Sequence, residues 1–236
     1  MTTIPEAYTS VAICMDAQRK RLDAELQRVR MTEQMHIMRV ERDVVDGVRG
    51  CFESHQRALE YGLSQAGDGP IFVVEDDVAF STTCEVNKAL RDALKALQNG
   101  NVDIVAIGGM ATRPFTGIEG NPDVFRTSFQ TTHAYAVSRK AARRIILWSF
   151  VRNGRFLRIG DHYDHMLSEK LAQAIVYPTV AFQDVRSDVT TTNSTSPIYY
   201  TIVKARDMLS QQRLQKMLEW FMYIIGCILS AVMSRS

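Results

Sequence analysis

The sequence lacks the features that would place it in several specialised classes. Its 28 basic and 26 acidic residues leave a formal net charge of only +2, so no overall field favours nucleic acid or an anionic surface as a partner. It has only four cysteines, none of them in a C-x-x-C pair, which gives neither a zinc-ribbon spacing nor a dense disulfide framework. It also shows no internal repeat. These absences predict a globular protein of a reducing compartment that does not bind nucleic acid.

The two ends of the chain differ in character. Residues 1–7 contain no basic segment followed by an apolar one, so no secretory signal is visible and we expect a cytoplasmic protein. Residues 220–233 carry no charge, but a spanning helix needs roughly 20 apolar residues. Two interpretations of residues 217–234 therefore stay open, namely contact with a membrane and burial as a core or oligomer-contact helix.

The body of the chain has the composition of a single folded domain. A length of 236 residues and a hydrophobic content of 46% are enough for one sizeable core. Residues 190–197 read TTTNSTSP, a polar low-complexity stretch typical of the end of a folded core. We expect one domain over residues 1–196 and a helical appendage with an apolar tail over residues 197–236.

Short apolar runs alternate with amphipathic or charged runs of helical length. Strands are predicted over residues 10–15, 71–78, 102–107, 131–137 and 174–180. Helices are predicted over residues 16–38, 48–65, 86–97, 139–150 and the end of 158–172. This alternation indicates an α/β fold in which helices sandwich a mostly parallel sheet.

Two connecting segments carry expectations of their own. The compact stretch between the first helix and Gly47 leaves little room for a further nucleotide-binding strand. Residues 108–125 are rich in Gly, Pro and Thr, which predicts a functional loop that forms the floor or lid of a cleft.

The most informative stretch is residues 71–78, which read IFVVEDDV. A short apolar run after Gly69-Pro70 is typical of a buried strand in a parallel sheet, and such sheets bind ligands at the carboxyl ends of their strands. Alternation along the strand would point Glu75 and Asp77 one way and Asp76 the other. Two carboxylates would then share one hard cation, Mg²⁺ or Mn²⁺. The alternative is that these acidic residues cap the strand and face water.

Four segments along the chain form a further pattern. Residues 47–80 contain GVRGCFESHQRALEYGL and then IFVVEDDVAF, and residues 132–142 read THAYAVSRKAA. Residues 159–163 read IGDHY, and Gln183 is followed by Ser187-Asp188. In this order the segments resemble glycosyltransferase family 25, the lipooligosaccharide and procollagen galactosyltransferase-like enzymes. Order across four segments is far more specific than an acidic triplet alone.

The resemblance implies a GT-A-like fold, a nucleotide-sugar donor and a Mn²⁺ cofactor, with Mg²⁺ as the substitute. Asp77 is the first candidate for a direct metal ligand and Glu75 the second, since a cation there would neutralise the departing diphosphate. Asp76 would bind a donor hydroxyl or a helix N-terminus instead.

The resemblance also suggests donor contacts near the start of the chain. Asp16, Arg19 and Arg21 resemble the family's N-L-D-x-x-x-x-R opening, with Cys14-Met15 in place of Asn-Leu. A solvated helix start explains the same charges equally well.

Ser54 and His55 occupy the S-H of the family's G-C-x-x-S-H segment, and both are candidates for binding the donor. His55 would hydrogen-bond a phosphate or orient a carboxylate, since a neutral imidazole offers one donor and one acceptor. The alternative is a helix histidine with ordinary packing partners.

The family's inverting reaction needs a general base that deprotonates the acceptor hydroxyl. The resemblance places Asp161 in that role, while a helix-capping role and a metal role for the D-H-x-D-H cluster of residues 161–165 stay open. Tyr135, Ser138 and Asp188 lie where the family has acceptor- or donor-side contacts, and each can equally be structural. Ser138 also fits as the N-cap of the helix that follows it.

We therefore expect a metal-dependent inverting glycosyltransferase. It would move a hexose, galactose or glucose, from a UDP-sugar to a hydroxyl of a glycan or glycoprotein. One alternative is a catalytically silent module of the same fold that binds a nucleotide sugar or a glycan. A metal-dependent phosphohydrolase built on the acidic clusters is disfavoured by the four ordered segments.

Overall fold

The computed structural model describes residues 8–149 and 163–183. Within these ranges the strands are β1 (Thr9–Met15), β2 (Met35–Val40), β3 (Ile71–Glu75), β4 (Val78–Phe80), β5 (Ile104–Ala111), β6 (Thr116–Ile118), β7 (Asn121–Arg126), β8 (Phe129–Val137), β9 (Gln173–Val176) and β10 (Ala181–Gln183). The helices are α1 (Arg19–Arg28), α2 (Gly47–Ser64), α3 (Thr83–Gln98), α4 (Arg139–Ile145) and α5 (Tyr163–Lys170).

The described part of the chain forms one large sheet and one small one. The large sheet has eight strands in the order β2-β1-β3-β8-β5-β9-β7-β6, and β10 pairs with β4 in the small one. β8 pairs antiparallel with both β3 and β5, and β7 pairs antiparallel with both β9 and β6. The other pairings, β1 with β2, β1 with β3 and β5 with β9, are parallel. Only β7 and β8 thus run against the common direction, which confirms the expected mostly parallel sheet.

Helices cover both faces of the large sheet. In β3, Phe72 and Val74 belong to one hydrophobic cluster, and Ile71 and Val73 belong to another, because successive strand side chains point to opposite faces. The first cluster contains buried residues of α1 and α3, and the second contains those of α2, α4 and α5. The predicted sandwich of helices around a sheet is confirmed.

Local sequence signals explain where the helices begin. The Asp46 carboxylate accepts hydrogen bonds from the main-chain N–H groups of Val48 and Arg49, at 3.1 and 3.2 Å, and so caps α2. Thr82 and Glu85 form a reciprocal capping box at α3. Ser138 Oγ accepts from the N–H of Ala141 at 3.2 Å, which confirms the predicted cap of α4.

The helix predicted over residues 16–38 is wrong in its second half. α1 ends at Arg28, and Arg30 takes a left-handed conformation with φ of 60°, a common way to end a helix. Residues 35–40 form β2, parallel to β1, with Met35 and Met38 buried. The expectation that this stretch holds no further strand is therefore wrong as well. The charged and helix-favouring residues of this stretch favoured a helix prediction, although two of its methionines are buried in an edge strand.

The loop predicted over residues 108–125 is mostly strand. β5 continues to Ala111, and β6 and β7 form a hairpin whose turn contains Gly120 with φ of 73°. Glycine adopts this conformation without the steric cost of a side chain. The hairpin extends the sheet at the edge opposite β2, so these residues do not form a lid over the carboxyl ends of β1 to β3.

No helix within residues 8–149 and 163–183 is long and apolar enough to cross a membrane. The apolar tail, residues 217–234, lies outside the described residues, as does the predicted domain boundary at residue 196. The structure therefore tests neither the interpretations of the tail nor this boundary.

Candidate functional site

An open cleft lies where the carboxyl ends of β1, β2 and β3 meet the first half of α2. Open α/β sheets bind ligands at this position. The residues that line the cleft are Ile13, Met15, Val40, Glu41, Arg42, Asp43, Gly47, Gly50, Cys51, Ser54, His55, Glu75 and Asp76. Four of the residues predicted from the sequence, Ser54, His55, Glu75 and Asp76, are therefore brought together.

The three consecutive acidic residues do not follow strand alternation. β3 ends at Glu75, and Asp76 and Asp77 form a turn before β4. As a result Glu75 and Asp76 line the cleft, and Asp77 is not among the lining residues. The prediction that Glu75 and Asp77 share one side is corrected because alternation requires extended backbone, which stops at Glu75.

Arg21 of α1 holds this turn through the main chain. Its guanidinium donates hydrogen bonds to the carbonyl oxygens of Asp76, Asp77 and Val78, the last two at 2.9 Å each. Arginine suits this role because its planar group presents several donors in fixed directions. Arg21 belongs to the segment in which the resemblance suggested donor contacts, but no local pattern indicated that it would fix the acidic turn.

Asp76 joins the end of β3 to the end of β1. Its Oδ2 accepts a hydrogen bond from the main-chain N–H of Met15 at 2.7 Å. Burial raises the pKa of Asp76 to about 6, although this hydrogen bond acts in the opposite direction. The side chain therefore combines a structural contact with a position on the wall of the cleft.

Asp77 faces the small sheet. Its Oδ2 accepts from the side-chain amide of Gln183 at 2.7 Å, while its buried Oδ1 has no hydrogen-bond partner among the described residues. Burial, followed by the charge of Glu75, raises the pKa of Asp77 well above its usual range. Such a carboxylate would be stabilised by a cation.

Two side chains contact the carboxylate of Glu75. Thr132 Oγ1 donates to Glu75 Oε1 at 2.8 Å, and His55 Nε2 lies 3.3 Å from the same oxygen. Burial alone would raise the pKa of Glu75, but the hydrogen bonds from His55 and Thr132 outweigh it and lower the pKa. Glu75 is therefore held as a carboxylate at the rim of the cleft.

His55 is held on its other side by two tyrosines. Its Nδ1 lies 3.1 Å from Tyr135 Oη, which in turn lies 3.1 Å from Tyr163 Oη. The His55 ring also stacks on Tyr163, with centroids 4.3 Å apart and an angle of 5° between the planes. Of the two predicted roles for His55, the geometry favours the orientation of a carboxylate. Tyr135 is fully buried and contacts His55, so its expected contact with a substrate has no support.

Cys51 is a site residue that the sequence analysis did not single out. Cys51 and His55 lie one helical turn apart on α2, and their ligand atoms and a Glu75 oxygen are all within 4.8 Å of one another. Burial, and then the charge of Glu75, raises the pKa of the Cys51 thiol well above its usual range. The i, i+4 spacing of Cys51 and His55 was the available signal.

Three predicted contacts lie away from the cleft wall. Asp16 forms an ion pair with Arg39 in which both side chains are largely exposed, and Arg19 binds Asp23 at 2.8 Å. These pairs match the solvated helix start that was the alternative interpretation. Ser138 directly follows the last residue of β8, which pairs with the first residue of β5. It therefore lies at the end of the strands that is opposite to the cleft.

The remaining predicted residues cannot be placed in the same way. Asp161 and Asp188 lie outside the described residues. Within the D-H-x-D-H cluster, Asp164 accepts a hydrogen bond from the main-chain N–H of Thr131 at 3.1 Å. Ser54 lines the cleft and donates to the carbonyl of Gly50 at 2.6 Å.

Neither a known protein family nor a curated protein matches the sequence. Among solved structures, A197 from STIV is 15% identical, with 75% of this chain and 85% of that chain covered at a TM-score of 0.45. A mannose-1-phosphate geranyltransferase from Thermus thermophilus is 13% identical, covering 72% and 73% at a TM-score of 0.40. A putative glucose-1-phosphate thymidylyltransferase from Bacillus anthracis, in complex with a sucrose, is 11% identical, covering 84% and 94% at a TM-score of 0.41. Similarities this weak carry no inference about activity.

Proposed function

We propose that this protein is a metal-dependent glycosyltransferase similar to family 25, which moves a hexose from a UDP-sugar to a hydroxyl of a glycan or glycoprotein with inversion. The observation that carries the proposal is the run of three acidic residues at the end of β3 and in the turn after it, of which Glu75 and Asp76 line an open cleft at the carboxyl edge of the sheet. The donor class rests on the resemblance in sequence and not on the structural neighbours.

The acidic turn suits a hard divalent cation, Mn²⁺ or Mg²⁺. Asp77 offers the buried Oδ1, which lacks a hydrogen-bond partner among the described residues, and the nearby Glu75 is held as a carboxylate. Oxygen ligands of this kind are the ones that both ions prefer. When bound, the cation would neutralise the negative charge that develops on the leaving diphosphate.

The chain's own residues would orient the donor and the acceptor. Arg21 keeps the acidic turn in place through three carbonyl groups. Asp76 and Ser54 lie on the wall of the cleft, where they would contact the sugar nucleotide. Asp161, as the resemblance implies, would take the proton from the acceptor hydroxyl.

The test uses a panel of UDP- and GDP-sugars with and without Mn²⁺. Thermal unfolding reports binding, since a ligand that binds the native state stabilises it, and release of the nucleoside diphosphate reports turnover. We expect one UDP-hexose to raise the unfolding temperature only with Mn²⁺ and to be turned over. Asp77→Asn should abolish both effects. Asp92→Asn, on α3, where the partly exposed Asp92 pairs with Lys88, should abolish neither.

Two outcomes would change the conclusion. Metal-dependent donor binding that never leads to hydrolysis or transfer, with any acceptor tried, would identify a silent binding module of the same fold. A protein that binds none of the donors, or binds them equally well after Asp77→Asn, would overturn the proposed role of the acidic turn.

A further inference from the structure

We propose that Cys51, His55 and Glu75 form a second kind of metal site, one that binds a borderline-soft divalent cation such as Zn²⁺ at the wall of the cleft. One ligand atom from each residue lies within 4.8 Å of the other two. Thiolate, imidazole and carboxylate are the three ligand types that zinc takes from proteins. This set differs from the all-oxygen ligands that Mn²⁺ or Mg²⁺ would find at the acidic turn.

The secondary structure fixes two of the three ligands in relation to each other. Cys51 and His55 belong to α2, which runs without interruption from Gly47 to Ser64. Residues four apart on a helix lie on the same face, one turn above the other. Both residues line the cleft together with Glu75 at the end of β3, so the third ligand faces this pair across the helix–sheet contact.

The surroundings of His55 match those of a metal-bound histidine. Such a histidine usually binds the metal through one nitrogen and donates the N–H of the other to an oxygen, which fixes the tautomer and the ring. Here Nδ1 lies 3.1 Å from Tyr135 Oη, and Nε2 lies 3.3 Å from both Glu75 Oε1 and Thr132 Oγ1. A metal bound at Nε2 would replace the proton that His55 shares with Glu75, and the remaining N–H would be the one on Nδ1, facing Tyr135. The stacking on Tyr163 holds the plane of the ring. The ring is therefore positioned before a metal arrives, with Nε2 towards the other two ligands.

The site would offer three protein ligands and an open side. Cys51 and Glu75 are partly exposed at the cleft, whereas His55 is 1% exposed behind them. Three protein ligands with a free fourth position are typical of reactive rather than purely structural zinc sites. Since Glu75 is also a candidate ligand of the hard cation, Zn²⁺ bound here would compete with Mn²⁺ at the acidic turn.

The experiment titrates the full-length, reduced, metal-free protein with Co²⁺, a spectroscopic substitute for Zn²⁺. Coordination by Cys51 should produce a thiolate-to-cobalt charge-transfer band that saturates at one equivalent and disappears on addition of Zn²⁺. Cys51→Ser should remove the band and weaken Zn²⁺ binding by more than about 100-fold, beyond the effect of losing an outer partner. Cys84→Ser, which changes an exposed cysteine elsewhere, should leave the band and the affinity unchanged.

A second variant tests the positioning of His55. Tyr135→Phe removes only the hydroxyl beside Nδ1, so the charge-transfer band should persist while the affinity for Zn²⁺ falls by roughly 10-fold. The proposal is overturned if the wild-type protein gives no band, or if the band survives in Cys51→Ser. An affinity for Zn²⁺ that is equal in wild type and Cys51→Ser would overturn it as well.

Asp77→Asn separates this inference from the proposed function. The variant should keep the cobalt band, since Asp77 is not one of the three ligands, although it should lose Mn²⁺-dependent donor binding. A cobalt band in a protein that binds no sugar nucleotide would leave the zinc site standing and remove the transferase proposal. Mn²⁺-dependent transfer by a protein that gives no cobalt band would support the transferase proposal and overturn the zinc site.

Discussion

The guanidinium of Arg21 donates a hydrogen bond to the main-chain carbonyl of Asp77 at 2.9 Å, so a side chain of α1 fixes the turn in which the acidic residues lie. The same group also binds the carbonyls of the residues on either side of Asp77. These three hydrogen bonds go to the backbone of the turn, and the positive charge of Arg21 also acts to lower the pKa of Asp76 and of Asp77.

Arg21→Lys should therefore damage both stability and metal binding. A lysine presents one compact ammonium group and cannot reproduce the planar fork, so we expect the free energy of unfolding to fall by about 1–3 kcal/mol. The Mn²⁺-dependent stabilisation by a sugar nucleotide should fall with it. Arg19→Lys is the matched control, since the exposed pair of Arg19 and Asp23 is worth at most about 1 kcal/mol. Equal losses of stability in the two variants, measured by urea denaturation, would contradict the role of Arg21.

Asp76 should tolerate the loss of its charge better than the loss of its oxygen. Asp76→Asn keeps a carbonyl oxygen that can accept from the N–H of Met15, whereas Asp76→Ala leaves this N–H without its present acceptor. A fully buried donor left unsatisfied costs about 1–3 kcal/mol, and the Met15 N–H is partly buried, so urea denaturation should show a loss toward the lower end of this range for alanine and a much smaller one for asparagine. If asparagine is as destabilising as alanine, the hydrogen bond to Met15 is not what Asp76 contributes to stability.

The acidic end of β3 could be predicted because its signal is local. A short apolar run that ends in charged residues indicates a buried strand and its exit from the sheet. The partners of these acids are not local. Asp76 binds Met15, 61 positions away, and Asp77 binds Gln183, 106 positions away. Local sequence patterns and residue propensities do not indicate contacts between residues so far apart in the sequence. The structure was therefore needed to show that Glu75 and Asp76 line the cleft whereas Asp77 faces the small sheet.

The same limit explains the errors in the fold. α2 and α3 were predicted within a few residues because their caps and amphipathic spacing are encoded in consecutive residues. β2 was missed because an edge strand has little apolar alternation, and only Met35 and Met38 of its residues are buried. Cys51 was overlooked for a related reason: its importance depends on Glu75, which belongs to a different element.

Gly108 is required by close packing of the two sheets. A Cβ at this position would lie 2.5 Å from His133 Nε2 and even closer to the main-chain oxygen of Ala181. Backbone atoms cannot move aside as a side chain can, so Gly108→Ala should cost about 1–3 kcal/mol or more. Gly117→Ala is the control, since a Cβ there meets no atom within 4 Å. Thermal unfolding should separate the two variants, and a Gly108→Ala protein as stable as Gly117→Ala would show that the sheets can shift apart without cost.

Glu25 joins α1 to β4 through charge-assisted hydrogen bonds. Its carboxylate accepts from the main-chain N–H of Phe80 and binds the Arg28 guanidinium at 2.5 and 2.9 Å. Burial acts to raise the pKa of Glu25, but the hydrogen bonds from Arg28 and Phe80 outweigh it and lower the pKa below its ordinary value of 4.5. The folded protein therefore binds the proton of Glu25 less readily than the unfolded chain does.

This difference fixes the sign of a pH effect. The pKa of Glu25 is lower in the folded protein than in the unfolded chain, where it is 4.5. The contribution of Glu25 to stability is therefore fully present at pH values above 4.5, and it is lost as the pH falls through the pKa of the folded protein. Glu25→Gln, which cannot ionise, should be less stable than wild type by about 1–2 kcal/mol at pH 7, and this gap should narrow as the medium is acidified below the unfolded value. Urea denaturation at several pH values measures the gap, with Glu33→Gln, at an exposed position, as the control. A gap that stays constant from neutral to acidic pH would mean that the charge of Glu25 does not stabilise the contact between α1 and β4.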